Sequence, residues 1–370
     1  MPITKRDLTK FFSRKLPILQ WAPKYTSQKF MSDAIAGITV ALTVMPQALA
    51  YATLGGLEPQ YGLYSSFMGC FIYIVFGSVK EITLGPTALM ALMTYQQIQN
   101  RNTDYAVLLC FLSGVVQLFM AILNLGILVD FISIPVTVGF TSATSVIIAV
   151  SQFKGLLGLK FTSSGFLDTL VKVYQNIHKV RIYDCILSIV CIIVLIALRK
   201  LKDVKLSKDK KPTKTQTYIS RALWLISTSR NALVVIVCSV IAYCYQSSGL
   251  ESPFLLTGTV KPGLPELRLP PFSTEMNNRT IDFGEMLSDL GTSVFLVPVI
   301  AVLGNVAIAK AFASGQSVDA TQELLTLSLS NIFGSFFSSM PITGSFSRSA
   351  VNHASGVQTP LGGIFTGQYK

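Results

Sequence analysis

An all-α polytopic membrane protein is the fold class that the sequence predicts, on three observations. Hydrophobic residues make up 51% of the 370 positions and charged residues 13%, whereas soluble domains are about one quarter charged. The mean hydropathy is +0.54. The apolar residues gather in runs, and crossing hydrocarbon takes about 20 helical residues.

The runs cover 34–52, 62–76, a shorter 86–95, 105–125, 127–150, 182–198, 232–245, 290–309, 324–337, a short piece after Met340, and a last one opening near Leu361. Residues 32–370 are therefore expected to form one transmembrane domain of about ten segments and the start of an eleventh. Residues 1–31 precede it. The stretch 151–184 is mixed and reads as interfacial. The formal charge of +12 lies outside the runs, in two patches. One patch includes Lys5, Arg6, Lys10, Arg14 and Lys15; the other runs from Arg199 through Lys211 to Arg230. The positive-inside rule places both patches in the cytoplasm, so 199–230 is expected to be a cytoplasmic loop, charged and solvated over 201–214. The loop 246–287 then lies outside. It carries the sequon Asn278-Arg279-Thr280, a glycosylation site on that topology.

This distribution excludes nucleic acid as a partner, because the basic residues flank apolar runs and do not line a soluble face. The bilayer is the expected surroundings. The six cysteines show no CxxC spacing and the histidines are only His178 and His353. No metal site, cofactor or enzyme chemistry is expected from that inventory. The N-terminus lacks the pattern of a cleaved signal peptide.

Function concentrates at two interruptions. Ile82-Thr83-Leu84-Gly85-Pro86-Thr87 precedes one short segment, and Ile342-Thr343-Gly344-Ser345-Phe346-Ser347 precedes the other. Paired short segments are the sequence pointer to a transporter binding site. A helix starting near Ser345 aims free N–H groups at what lies before it, with roughly +0.5 charge. A second start at Gly85-Pro86 matches it, with Pro86 suited to the first helical position. Arg348 adds a full charge inside the membrane, which costs about 2.5–3.5 kcal/mol on insertion scales. The sum, roughly +2, would balance a divalent oxyanion. Ser345, Ser347 and Thr87 could donate hydroxyl hydrogen bonds. The alternatives are an Arg348 that snorkels to a headgroup and serines that serve helix packing. Asp319-Ala320-Thr321-Gln322 reads as a helix cap.

The chain resembles the sulfate permease (SulP) family of anion transporters, the sodium-independent sulfate anion transporters within it looking closest. The resemblance rests on Val44-Met45-Pro46-Gln47-Ala48-Leu49-Ala50-Tyr51-Ala52, Pro59-Gln60-Tyr61-Gly62-Leu63-Tyr64-Ser65-Ser66, Gly85-Pro86-Thr87-Ala88, Gln322-Glu323-Leu324-Leu325 and Thr343-Gly344-Ser345-Phe346-Ser347-Arg348. It implies two inverted repeats of seven segments, with a core domain moving against a gate domain in an elevator-like cycle. It also implies an anion held between two half-helices that start at Gly85, Pro86 and Gly344. Gln47, Tyr51, Thr87, Ser345, Phe346, Ser347 and Arg348 would form the pocket. Sulfate, chloride, bicarbonate and oxalate all suit it. A homodimer is implied for the full-length protein, in the plasma membrane or an endomembrane.

Two departures stand out. Many relatives carry an acidic residue where this chain reads Leu303-Gly304-Asn305-Val306, which points to uncoupled or exchange transport. The family's last segments and its cytoplasmic STAS domain have no counterpart here, so an incomplete gate is expected. A truncated, non-transporting partner of a full-length copy is the alternative reading. A nucleobase carrier of the same architecture would have no use for a buried arginine.

Overall fold

The computed structural model describes residues 15–126, 134–159, 161, 166–201, 214–249, 252–256, 260, 263–276, 278–313 and 318–368. Lys5, Arg6, Lys10, Arg14, the start of the expected 127–150 segment and the lysines of 202–211 lie outside these residues.

After a short helical turn at Ile18–Trp21 and Ala22–Lys24, the elements in chain order are α1 (Ser27–Leu54), α2 (Pro59–Phe76), β1 (Leu84–Gly85), α3 (Ala88–Ile98) and α4 (Asp104–Ile122). Next come α5 (Ile134–Leu156), α6 (Phe166–Gln175), α7 (Ile182–Lys200), α8 (Lys214–Thr228) and α9 (Arg230–Ser247). The remainder is β2 (Thr274–Met276), β3 (Arg279–Ile281), α10 (Phe283–Leu290), α11 (Ser293–Phe312), α12 (Ala320–Ser335), β4 (Thr343–Gly344), α13 (Phe346–Ala354) and α14 (Gly362–Gln368). Among the described residues, α1, α4, α7 and α11 are long and apolar enough to cross a membrane. At 1.5 Å per residue, α3 and α13 reach only about 16 and 14 Å, well short of the ~30 Å of hydrocarbon.

The chain forms two compact units, residues 1–137 with 259–370, and residues 138–258. In the first, Ala36, Val40, Val44, Ala48 and Ala52 are almost fully buried. Their spacing of four puts them on one stripe of α1, and Leu63 of α2 and Val351 of α13 pack on it. A Cβ added at Gly62 would come within 1.9 Å of the Ala48 carbonyl oxygen, so only glycine lets α2 approach this closely. α1 opens earlier than its apolar run, at Ser27, because Thr26 Oγ1 accepts from the Lys29 N–H. It therefore overlaps the stretch 1–31 that was set apart. Asp33, further along α1, accepts from the N–H groups of Gln358 and Thr359 at 2.7 and 3.0 Å, holding the approach to α14. The Tyr25 hydroxyl also donates to Asp33; burial first, then that carboxylate, push its pKa up to about 12, so it stays a neutral donor.

Asp319 caps α12 as expected, its Oδ1 accepting from the Gln322 N–H at 3.1 Å. The Gln322 side chain does not close a reciprocal box; it donates to the Phe76 carbonyl at the end of α2. Asn278 lies exposed at the turn of the β2–β3 hairpin, with φ of 60°, a region asparagine tolerates.

The second unit differs from expectation in the basic loop. Residues 214–228 form helix α8; Ile219, Leu223 and Ile226 stand at i, i+4 and i+7, a helical stripe too sparse to register as an apolar run. In α6, Leu167, Leu170, Val171 and Tyr174 are exposed on one face, which suits an interfacial helix.

Candidate functional site

The two interruptions meet. β1 and β4 pair antiparallel, Leu84 opposite Gly344 and Gly85 opposite Thr343. The Ser345 N–H donates to the Thr83 carbonyl at 3.3 Å and the Thr83 N–H donates to Ser349 Oγ at 3.2 Å, extending the ladder. Each strand runs directly into a short helix, so one ladder carries both helix starts.

The helix starts are placed slightly differently from expectation. Thr87 is the N-cap of α3, its Oγ1 accepting from the Met90 N–H at 3.4 Å. Pro86 therefore stands just outside the helix and not at its first position. Gly85 and Gly344 belong to the strands. Ser345 is the residue before α13, and its side chain makes no cap. Its hydroxyl lies 3.2 Å from that of Ser347. The N–H groups of Phe346, Ser347 and Arg348 have no intrahelical carbonyl to meet.

Arg348 is fully buried, which overturns the snorkelling alternative. Its Nη1 donates to the Pro86 carbonyl at 2.7 Å, so the guanidinium reaches from α13 to the threshold of α3. Nε and Nη2 are buried without hydrogen-bond partners. Buried donors without partners are rare and costly. A Cβ at Gly85 would sit 3.2 Å from Nη2, so this glycine makes room for the guanidinium. Tyr51 of α1 lies near the guanidinium. Gln47, one helical turn before Tyr51, is half-buried with its Oε1 unpartnered. Phe346 and Ser347 are exposed, and the Phe346 ring lies 5.2 Å from that of Phe312. A cavity of about 1610 Å³ opens at the other end of α13, lined by His353, Lys80 and Lys15 among others; none of the expected pocket residues lines it.

Sequence reasoning missed the residues behind the ladder. Asn331 Oδ1 accepts from the Ile342 N–H at 2.9 Å, and its Nδ2 donates to Gln117 of α4 at 3.0 Å. Ser65 Oγ accepts from the Met340 N–H at 2.9 Å. Thr343 Oγ1 donates to the Ala301 carbonyl at 2.6 Å. Glu323 is buried at the start of α12 and bonded to Tyr73, Ser78 and Asn305. An acid within an apolar helix was the available signal.

The model of the family described as the sulfate permease family matches residues 30–369. The chain belongs to the sulfate permease family. A bovine protein called a sodium-independent sulfate anion transporter is 46% identical over 97% of this chain and 60% of its own length. A probable sulfate permease of Schizosaccharomyces pombe is 34% identical, covering 97% of this chain and 40% of that protein. This family member thus spans 60% and 40% of the length of those two relatives. Among solved structures, that of SLC26A9 superposes with a TM-score of 0.80 at 20% identity, over 98% of this chain and 56% of that one. The transmembrane domain of the cyanobacterial bicarbonate transporter BicA gives 0.69 at 19% identity, over 93% and 81%. The fold is therefore that of an all-α polytopic transporter, and the chain is a multi-pass membrane protein.

Proposed function

We propose that this protein is a secondary transporter of small inorganic anions, with sulfate as substrate and chloride, bicarbonate or oxalate as further cargo. The observation that carries this reading is Arg348, fully buried beside both helix starts with two donor nitrogens unpartnered. A guanidinium presents five N–H groups and matches an oxyanion's paired oxygens. The uncapped N–H groups of α13, the hydroxyls of Ser345, Ser347 and Thr87, and the side chains of Gln47 and Tyr51 complete the pocket, with the Phe346 ring at its edge. Thr87 accepts from Met90 N–H and keeps its own proton to donate.

Transport proceeds by an elevator-like step, in which the unit that carries the ladder moves the anion relative to the second unit. The site residues all lie in the first unit, built from two separate stretches of chain, which supports that division. Exchange, not proton coupling, fits the neutral Asn305. On this reading the basic stretch 199–230 is cytoplasmic and Asn278 is outside and glycosylated. The full-length protein works as a homodimer, in the plasma membrane or an endomembrane.

Uptake of radiolabelled sulfate by the reconstituted full-length protein tests the reading. Hydrogen bonds to a charged group contribute about 1.5–3 kcal/mol, so Arg348→Ala is expected to weaken sulfate half-saturation at least about tenfold. Equal uptake by wild type and variant overturns the assignment.

A further inference from the structure

Behind the ladder lies a carboxylate that the anion pocket does not use. Glu323 is fully buried and its two oxygens take four donors. Oε1 accepts from the Tyr73 hydroxyl at 2.9 Å, the Ser78 N–H at 3.1 Å and the Ser78 hydroxyl at 2.6 Å. Oε2 accepts from Asn305 Nδ2 at 3.1 Å. Ser78 stands at the head of the short segment that leads into β1. Asn305 stands on α11 behind β4: its Oδ1 has no partner, and a Cβ at Gly344 would lie 2.6 Å from that oxygen.

The chemistry fixes the orientation of the amide. Both oxygens of Glu323 accept in this arrangement, and of the Asn305 amide only the NH₂ group can donate to Oε2. Asn305 must turn Nδ2 to Glu323, which leaves Oδ1 against the backbone of Gly344, next to Ser345. One carboxylate thus holds the approach to β1 directly and sets what β4 packs against.

We propose that Glu323 is a positioning residue for anion binding, fixing the two strands that carry the helix starts through Ser78 on one side and Asn305 on the other. This role rests on reading the ladder as the anion site. In Glu323→Gln, the new amide can still accept from Ser78 and Tyr73, but its NH₂ opposes Asn305 Nδ2. Asn305 then flips and presents donors to β4. In Asn305→Asp with Glu323→Gln, the exchanged carboxylate accepts from the glutamine and again sets an oxygen against Gly344. Asn305→Asp alone places two carboxylates at that spacing, which cannot both stay ionised and take up a shared proton. Among the described residues, Tyr73 of α2 faces Glu323, with Glu81 of the following segment near Tyr73, and Asn305 is what α11 presents to it.

The test is sulfate uptake against concentration and pH by the reconstituted full-length protein, with folded protein quantified for each variant. Glu323→Gln is expected to raise the half-saturating sulfate concentration about tenfold at an unchanged amount of folded protein, through the misdirected donors. The exchanged double variant is expected to return within about threefold of wild type. Uptake by Asn305→Asp is expected to fall as pH rises and the shared proton leaves, more steeply than in wild type. Wild-type half-saturation in Glu323→Gln, with a flat profile in Asn305→Asp, overturns the positioning role and leaves the transport reading standing. If Glu323→Gln does not fold, the pH profile of Asn305→Asp decides alone. No uptake by wild type overturns both.

Discussion

The two interrupted segments pair with each other, yet their helix starts are built for different tasks. At α3 the chain closes its own end: Thr87 caps Met90, and Ala88, Met90 and Ala91 are buried. At α13 the corresponding Ser345 caps nothing, Phe346 and Ser347 are exposed, and Arg348 keeps two donors unpartnered. Thr87 satisfies an orphan N–H that α13 leaves open. The difference teaches that a near-symmetric pair of breaks is built asymmetrically: α3 caps its own start, while α13 leaves its first N–H groups and two Arg348 donors open.

The glycines of the ladder give the largest break in that comparison. A Cβ at Gly344 would meet Asn305 Oδ1 at 2.6 Å, inside a packed region, whereas one at Gly85 would meet Arg348 Nη2 at 3.2 Å. Overpacking costs typically about 1–3 kcal/mol. Gly344→Ala is expected to lower thermal stability and sulfate uptake together. Gly85→Ala, which presses on the guanidinium at a backbone φ of +157° that alanine rarely adopts, is expected to lower stability as well and to weaken sulfate affinity more than Gly344→Ala does. Melting curves alongside uptake separate the two. Stability loss confined to Gly85→Ala would reverse the roles given to the segments.

Much of this arrangement is legible in the residues themselves, and the reasons are local. Pro59 opens α2 because its missing N–H costs nothing at the first helical position. Asp319 opens α12 by reaching forward three residues. Arg348 is conspicuous because a charge among apolar segments needs a reason to be there. The β1–β4 ladder is not legible, since strands of two residues have no period to detect and their partners lie more than 250 positions away. The Glu323–Asn305 bond escapes for a related reason. Each residue alone has a bland reading, and only packing of α11 on α12 brings them together. Helix α8 was hidden by its polarity: it reads as loop to any measure of mean hydropathy, and only the spacing of its few apolar residues betrays it.

A middle-sized effect sharpens the comparison at the capping positions. Loss of an N-cap costs about 1 kcal/mol, so Thr87→Ala is expected to lower thermal stability by that amount and, with its hydroxyl donor gone, to weaken sulfate affinity about twofold to tenfold. Ser345→Ala is expected to weaken affinity by a similar factor and to leave stability unchanged. Its hydroxyl caps nothing, and losing one neutral hydrogen bond to the anion, about 0.5–1.5 kcal/mol, weakens binding about twofold to tenfold. If both variants lose only stability, or both only affinity, the two starts are equivalent and the asymmetry fails.

The smallest expected effect is the most discriminating about Thr87 itself. Serine caps as well as threonine and keeps a hydroxyl that accepts from Met90 while donating elsewhere. Thr87→Ser removes only a methyl group. If the hydroxyl is what matters, melting temperature and sulfate half-saturation both stay at wild-type values. A fall in affinity at unchanged stability would mean that the methyl group shapes the space beside Arg348, and α3 would then count as part of the pocket's wall as well as its scaffold.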